Sequence, residues 1–174
     1  MSGATILFVT VRVLHVLLAA LWLGGTAFIV FFVMPALEKT GTAAAPMMGA
    51  MARRGINPFM NAIGGITVLT GFWLYWHLTG GFQPALSGTM PARVFGAGGV
   101  AGTLAVIIGG AIVARNGRKM GELGGKALSL PEGPERARLM SESDAARQRA
   151  TTWGRVMLVL QVIALVLMAL GHYV

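Results

Sequence analysis

The residues of this chain able to do chemistry in an apolar setting are three histidines and two arginines. The stretch "RVLHVLLAALWLGG", Arg12 to Gly25, places His15 one turn after a cation and Trp22 seven residues later. "WLYWH" ends on His77 with Trp73 one turn before it, and "GHYV" carries His172. Imidazole is a ligand for haem iron and for copper, and two imidazoles on different helices can clamp a planar porphyrin. Arg12 and Arg93 are candidates to neutralise haem propionates, or to snorkel to lipid phosphate. There is no cysteine, so disulfides, iron-sulfur clusters, thiolate-bound zinc and covalently attached c-type haem are excluded. A metal must therefore rest on His, Met, Asp or Glu.

The elements that position these groups are apolar. The chain has 174 residues, 55% hydrophobic and 11% charged, the composition of a membrane protein. Four stretches, 13–34, 57–79, 94–114 and 153–173, are long enough to cross roughly 30 Å of hydrocarbon as helix. The first lacks a basic leader and a small-residue cleavage site, so it is expected to remain as a helix. Asn57-Pro58 opens the second, with proline where its missing N–H costs nothing, and Gly80-Gly81 closes it. The predicted fold is an all-α, four-transmembrane-helix bundle forming a single transmembrane domain over 1–174. Residues 115–152 are predicted as a loop. Gly117, Gly121, Gly124 and Gly125 suggest irregular backbone before Pro131-Glu132-Gly133-Pro134, and good helix formers with an Arg138/Glu142 pair suggest a helical second half that extends helix four.

With four crossings, the first and third connections share one side. They and their flanks hold every Lys and Arg except Arg12 and Arg93, and all the acidic residues as well. The positive-inside rule makes that side cytoplasmic and turns both termini outward, in a multi-pass protein of the inner (plasma) membrane. The net charge of +8 then reads as orientation and as attraction to anionic lipid at the cytoplasmic face, not as a nucleic-acid interface. In this orientation His77 and His172 lie near the outer boundary. If Arg12 marks that boundary on helix one, His15 lies one turn inside it, and the three histidines share a level. At about 100° per residue, His15, Ala19, Trp22 and Thr26 form one stripe, His77 stacks over Trp73 with Thr70 a turn below, and His172 aligns with Gln161. Polar groups in hydrocarbon turn inward, so each stripe is expected to face the bundle interior.

Glycines within the spans, including Gly64-Gly65, Gly71 and Gly98-x-x-x-Gly102, let helices approach closely or leave a slot for a flat cofactor. "PMMGAM" sets Met47, Met48 and Met51 together, soft ligands for Cu(I) or an amphipathic surface turn. No Walker loop, dinucleotide fingerprint, HExxH or nucleophile elbow occurs, and no acidic residue lies in a span, which argues against proton pumping through carboxylates.

"LHVLLAALWLGGTAFIVFFVMPAL", Leu14 to Leu37, resembles the first helix of the copper resistance protein D-like superfamily of small integral membrane proteins, through His15, Trp22, Gly24-Gly25 and Pro35-Ala36-Leu37. The membrane protoporphyrinogen oxidase family is distantly similar in its His-then-Trp first helix. The resemblance implies copper handling or haem b bound in a four-helix bundle, with His15 as the ligand. Helix two departs from it, because His77 is near its end and Asn57-Pro58 has no acidic or lysine partner. Three tasks follow as expectations. One is a haem b or similar metal centre near the outer face for electron transfer, with His15 opposite His77 or His172, walled by Trp22 and Trp73. The second is copper transport, and the third a cofactor-free subunit of a homo-oligomer or larger membrane complex.

Overall fold

The computed structural model describes residues 2–40 and 44–174. Among them it is all-helical: α1 (Gly3–Phe28), a π-helical turn (Ile29–Val33), α2 (Met34–Thr40), α3 (Ala44–Arg53), α4 (Ile56–Leu78), α5 (Pro84–Ser87), α6 (Met90–Ile108), a second π-helical turn (Gly109–Val113), α7 (Ala114–Leu128) and α8 (Pro134–Leu170). Three continuous helices, Gly3–Lys39, Met90–Leu128 and Pro134–Leu170, are long and apolar enough to cross a membrane. These are the properties of a membrane protein.

Local chemistry explains several boundaries. Pro35 has no N–H and its ring crowds the carbonyl four residues back, and the wider π turn immediately before it absorbs that misfit without breaking the helix. Gly80 (φ 58°) and Gly81 (φ 80°) end α4, with the Gly81 N–H donating to the Trp76 carbonyl at 2.9 Å and the Gly80 N–H to His77 at 3.3 Å. Phe82 follows at φ 65°, a strained value for a side chain. The Thr79 hydroxyl accepts its N–H at 3.1 Å, and its ring packs edge-on to Trp76 at 5.0 Å.

The contacts divide the chain into two compact units. The first, residues 1–24, 62–106 and 157–174, closes a ring of four helical segments. α1 sets His15 and Trp22 on glycines of α4, Tyr75 of α4 meets Gly96 of α6, Gly98 of α6 meets Met168 of α8, and Arg12 of α1 bonds His172 just past α8.

The second unit, residues 25–61 and 107–156, is built around Val33, Met34 and Leu37, with Ile29 and Met51 against them. Here the structure corrects the predicted loop: residues 114–128 are helical, and only 129–133 separate α7 from α8. α7 buries Ala114, Met120, Gly124 and Ala127, and α3 packs on it, so tertiary burial overrides the weak helix preference of its glycines. The side chain of Met48 lies outside the described residues, so the predicted methionine group is seen only through Met47, which is exposed, and Met51.

α8 runs unbroken from Pro134 to Leu170, so the segment expected to be helical after Pro131-Glu132-Gly133-Pro134 and the fourth apolar stretch form one helix. In its polar first half Arg138 bonds Glu135 at 2.8 Å and Glu142 at 3.0 Å, and the guanidinium holds the Glu135 carboxyl below the usual range. Arg147 reaches Asp144 at 3.1 Å and Glu38 at 3.7 Å.

The buried Ser143 hydroxyl donates to the Met120 carbonyl at 3.0 Å and ties α8 to α7. As a helical carbonyl, that acceptor keeps a backbone partner without the hydroxyl. Ser143→Ala is therefore expected to cost about 1 kcal/mol, the net value of one hydrogen bond, as a small downward shift of the unfolding midpoint in detergent.

Candidate functional site

The site grows from a spacing shared by two antiparallel helices. His15 and Trp22 are seven residues apart on α1, and Gly71 and Gly64 are seven apart on α4. Two turns of helix on each side bring the pairs into register. A Cβ on Gly64 would lie 2.8 Å from Trp22 Cε2, and one on Gly71 would lie 2.8 Å from His15 Cε1, so each ring occupies space that only glycine leaves open. Trp22 is 5% exposed and His15 is half-buried. The predicted inward stripe of α1 is present, with Thr26 buried as well.

His15 Nδ1 lies 2.9 Å from the Thr67 carbonyl and 3.1 Å from the Thr70 hydroxyl oxygen. A carbonyl only accepts, so Nδ1 carries the proton and donates it. The Thr70 hydroxyl spends its own hydrogen on the backbone carbonyls of Ile66 and Thr67, at 2.8 and 2.9 Å, which leaves its oxygen to accept from the imidazole. In the neutral ring Nε2 is then an unprotonated lone pair. An N–H to a backbone carbonyl is how proteins commonly fix a ligating histidine's tautomer and orientation.

His77 Nδ1 lies 3.0 Å from the Trp73 carbonyl and donates to it, on an exposed ring whose centroid is 3.8 Å from that of Trp73. His172 differs. Its Nε2 is 2.8 Å from Arg12 Nη2, and a guanidinium has no acceptor, so this lone pair is already engaged. Phe95 packs edge-on to the same ring at 5.2 Å.

The histidines occupy successive levels. Phe8 packs against Trp73 and His77, and it lies two turns, about 10 Å, before His15 on α1. Among the described residues no three of His, Asp and Glu gather closely enough to hold a metal ion. The structure brings together Arg12 with His172, and Trp73 with His77, and sets His15 apart on Thr67, Thr70 and Gly71. Arg12 does not open its helix: α1 begins at Gly3, and apolar residues Ile6 to Val9 precede the arginine. Arg93, near the start of α6, is exposed. The geometry leaves one unprotonated imidazole nitrogen at His15, with no second histidine nitrogen shown at its level.

Sequence reasoning passed over Thr67 and Phe8 and did not pair His15 with Gly71. The signal was available in the matching heptads His15/Trp22 and Gly64/Gly71. Comparison of the chain with protein-family models, with curated proteins and with solved structures finds no match.

Two adjacent-type substitutions on α4 separate the cradle from general helix effects. Gly71→Ala should press a methyl on His15 Cε1 and cost about 1–3 kcal/mol by overpacking. Gly65→Ala meets nothing within 4 Å and should be neutral or raise stability by up to about 1 kcal/mol. Thermal unfolding of both in the same detergent checks the contrast, and equal shifts would deny the cradle.

Proposed function

We propose that this chain is a four-helix integral membrane protein of the copper resistance protein D-like kind, with both ends outside, whose His15 Nε2 ligates haem b or a similar metal centre for electron transfer. The observation that carries the reading is the bond from His15 Nδ1 to the Thr67 carbonyl, which prepares the opposite nitrogen as a donor. α4 would be the fourth crossing. Its 23 residues reach about 34 Å, and Phe59, Ile66, Leu69, Phe72 and Trp76 form an exposed apolar surface that lipid would cover. Asn57, Asn61, Thr67, Thr70 and His77 lower its hydropathy without removing that surface.

Haem iron, when bound, would supply reversible metal-centred one-electron chemistry. The chain's own residues hold and shield. Thr67 and Thr70 keep the proton on Nδ1 and fix the ring plane, Gly71 admits the ring, and Trp22 excludes water on one side. Trp73 and His77 lie toward the outer end of α4. Arg12, steadied by His172, offers its remaining N–H groups to an anionic group such as a propionate, and Arg93 is a second cation for that purpose.

A second reading has its own observation. Gly71 closes directly on the ring, so the same bond serves as an interhelical staple in a cofactor-free membrane subunit.

Oxidised and dithionite-reduced visible spectra of protein purified in mild detergent from haem-replete cells separate the two. A sharp reduced α-band that His15→Ala abolishes and His172→Ala retains is the expected result. A colourless wild type would overturn the haem reading, with metal analysis then assigning copper or no metal.

A further inference from the structure

Among the described residues, charge is distributed in a way that leaves the exposed face of α7 uncompensated. On α7 the exposed side chains of Arg115, Arg118, Lys119, Glu122 and Lys126 fall within an arc of about 100°. The buried Met120, Gly124 and Ala127 lie on the opposite side. Among the described residues none of these four cations has a carboxylate within 4 Å, whereas Glu38, Glu135, Glu142 and Asp144 are all engaged with Arg138 and Arg147 on α8. The one acid on the face, Glu122, leaves it strongly positive.

The helix Met90–Leu128 has 39 residues, about 58 Å, and its apolar window can occupy only about 30 Å of that. α7 is the polar remainder, immediately after the apolar stretch in sequence, the position at which a spanning helix would meet the headgroups. It carries no aromatic side chain for stacking on bases, which sets it apart from single-strand nucleic-acid platforms.

We propose that the basic face of α7, formed by Arg115, Arg118, Lys119 and Lys126, docks on the headgroups of anionic phospholipids. Arg115 stands one turn from Arg118 and Lys119, and Lys126 two turns beyond Lys119, a spacing that lets neighbouring side chains share one phosphate or bridge two. This inference stands on charge and placement and is independent of any ligand at His15.

The test uses the full chain in nanodiscs of phosphatidylcholine with phosphatidylglycerol as the minor lipid, and weighs the lipids retained through extraction by mass spectrometry. Wild type should enrich phosphatidylglycerol. The triple variant Arg115→Gln, Arg118→Gln, Lys119→Gln should lose roughly tenfold or more of that enrichment. Arg138→Gln removes a cation whose charge is already neutralised and should retain it. Should the triple variant fail to fold, Lys119→Gln alone should show a smaller loss, and raised salt should erode the wild-type enrichment. Unchanged enrichment in the folded variants, or an equal loss in Arg138→Gln, would overturn the proposal. So would binding of single-stranded RNA to phosphatidylcholine-only discs that the triple variant abolishes while lipid enrichment stays intact, which would reassign the face to nucleic acid.

Discussion

One proton, on His15 Nδ1, is donated across two helices to the Thr67 carbonyl, and the packing of α1 on α4 is arranged around it. A helical carbonyl is already used by its own ladder, so it takes a second donor only if the donor approaches from the side. Glycine at position 71 opens that approach, and the Thr70 hydroxyl supplies the second acceptor. Two acceptors converge on one nitrogen, so the ring is held in one tautomer by its surroundings. The same two turns carry Trp22 onto Gly64, and the indole extends the contact that aligns the helices. Geometry that fixes the helix pair thus also leaves Nε2 as the unprotonated nitrogen of the neutral His15 ring.

Charge is organised as strictly as packing. The unit that contains His15 has Arg12 and Arg93 and no Asp or Glu, so Arg12 finds its protein partner in a neutral imidazole, His172. The other unit holds every Asp and Glu, yet most of them are paired on α2 and α8 while α7 keeps its cations open. Ion pairs as exposed as Arg138 with Glu135, 60% and 61%, add little stability. Their effect is to decide where the positive charge remains unneutralised.

Much of the site was legible in the sequence because helical periodicity is simple arithmetic. The stripe of His15, Trp22 and Thr26 and the stacking of His77 on Trp73 both follow from 100° per residue. Depth was harder to read. Arg12 read as the start of a span because a bare cation is costly in lipid, but α1 begins at Gly3, and the bond Arg12 donates to His172, just past α8, is not visible in a linear pattern. The segment with Gly117, Gly121, Gly124 and Gly125 looked irregular because propensity was the only information available. Burial of Met120, Gly124 and Ala127 supplies the free energy that makes it a helix. The pairing of His15 with Gly71 needed the antiparallel register, which two matching seven-residue spacings encode.

The ring nitrogens of His15 offer the most direct measurement. Histidine labelled with ¹⁵N, assigned by comparison with His15→Gln and observed by NMR in the metal-free protein at neutral pH, reports which nitrogen bears the proton. A proton on Nδ1 with an unprotonated Nε2 is the expected result. A proton on Nε2 would contradict the bond to Thr67 and remove the ligand role built on it.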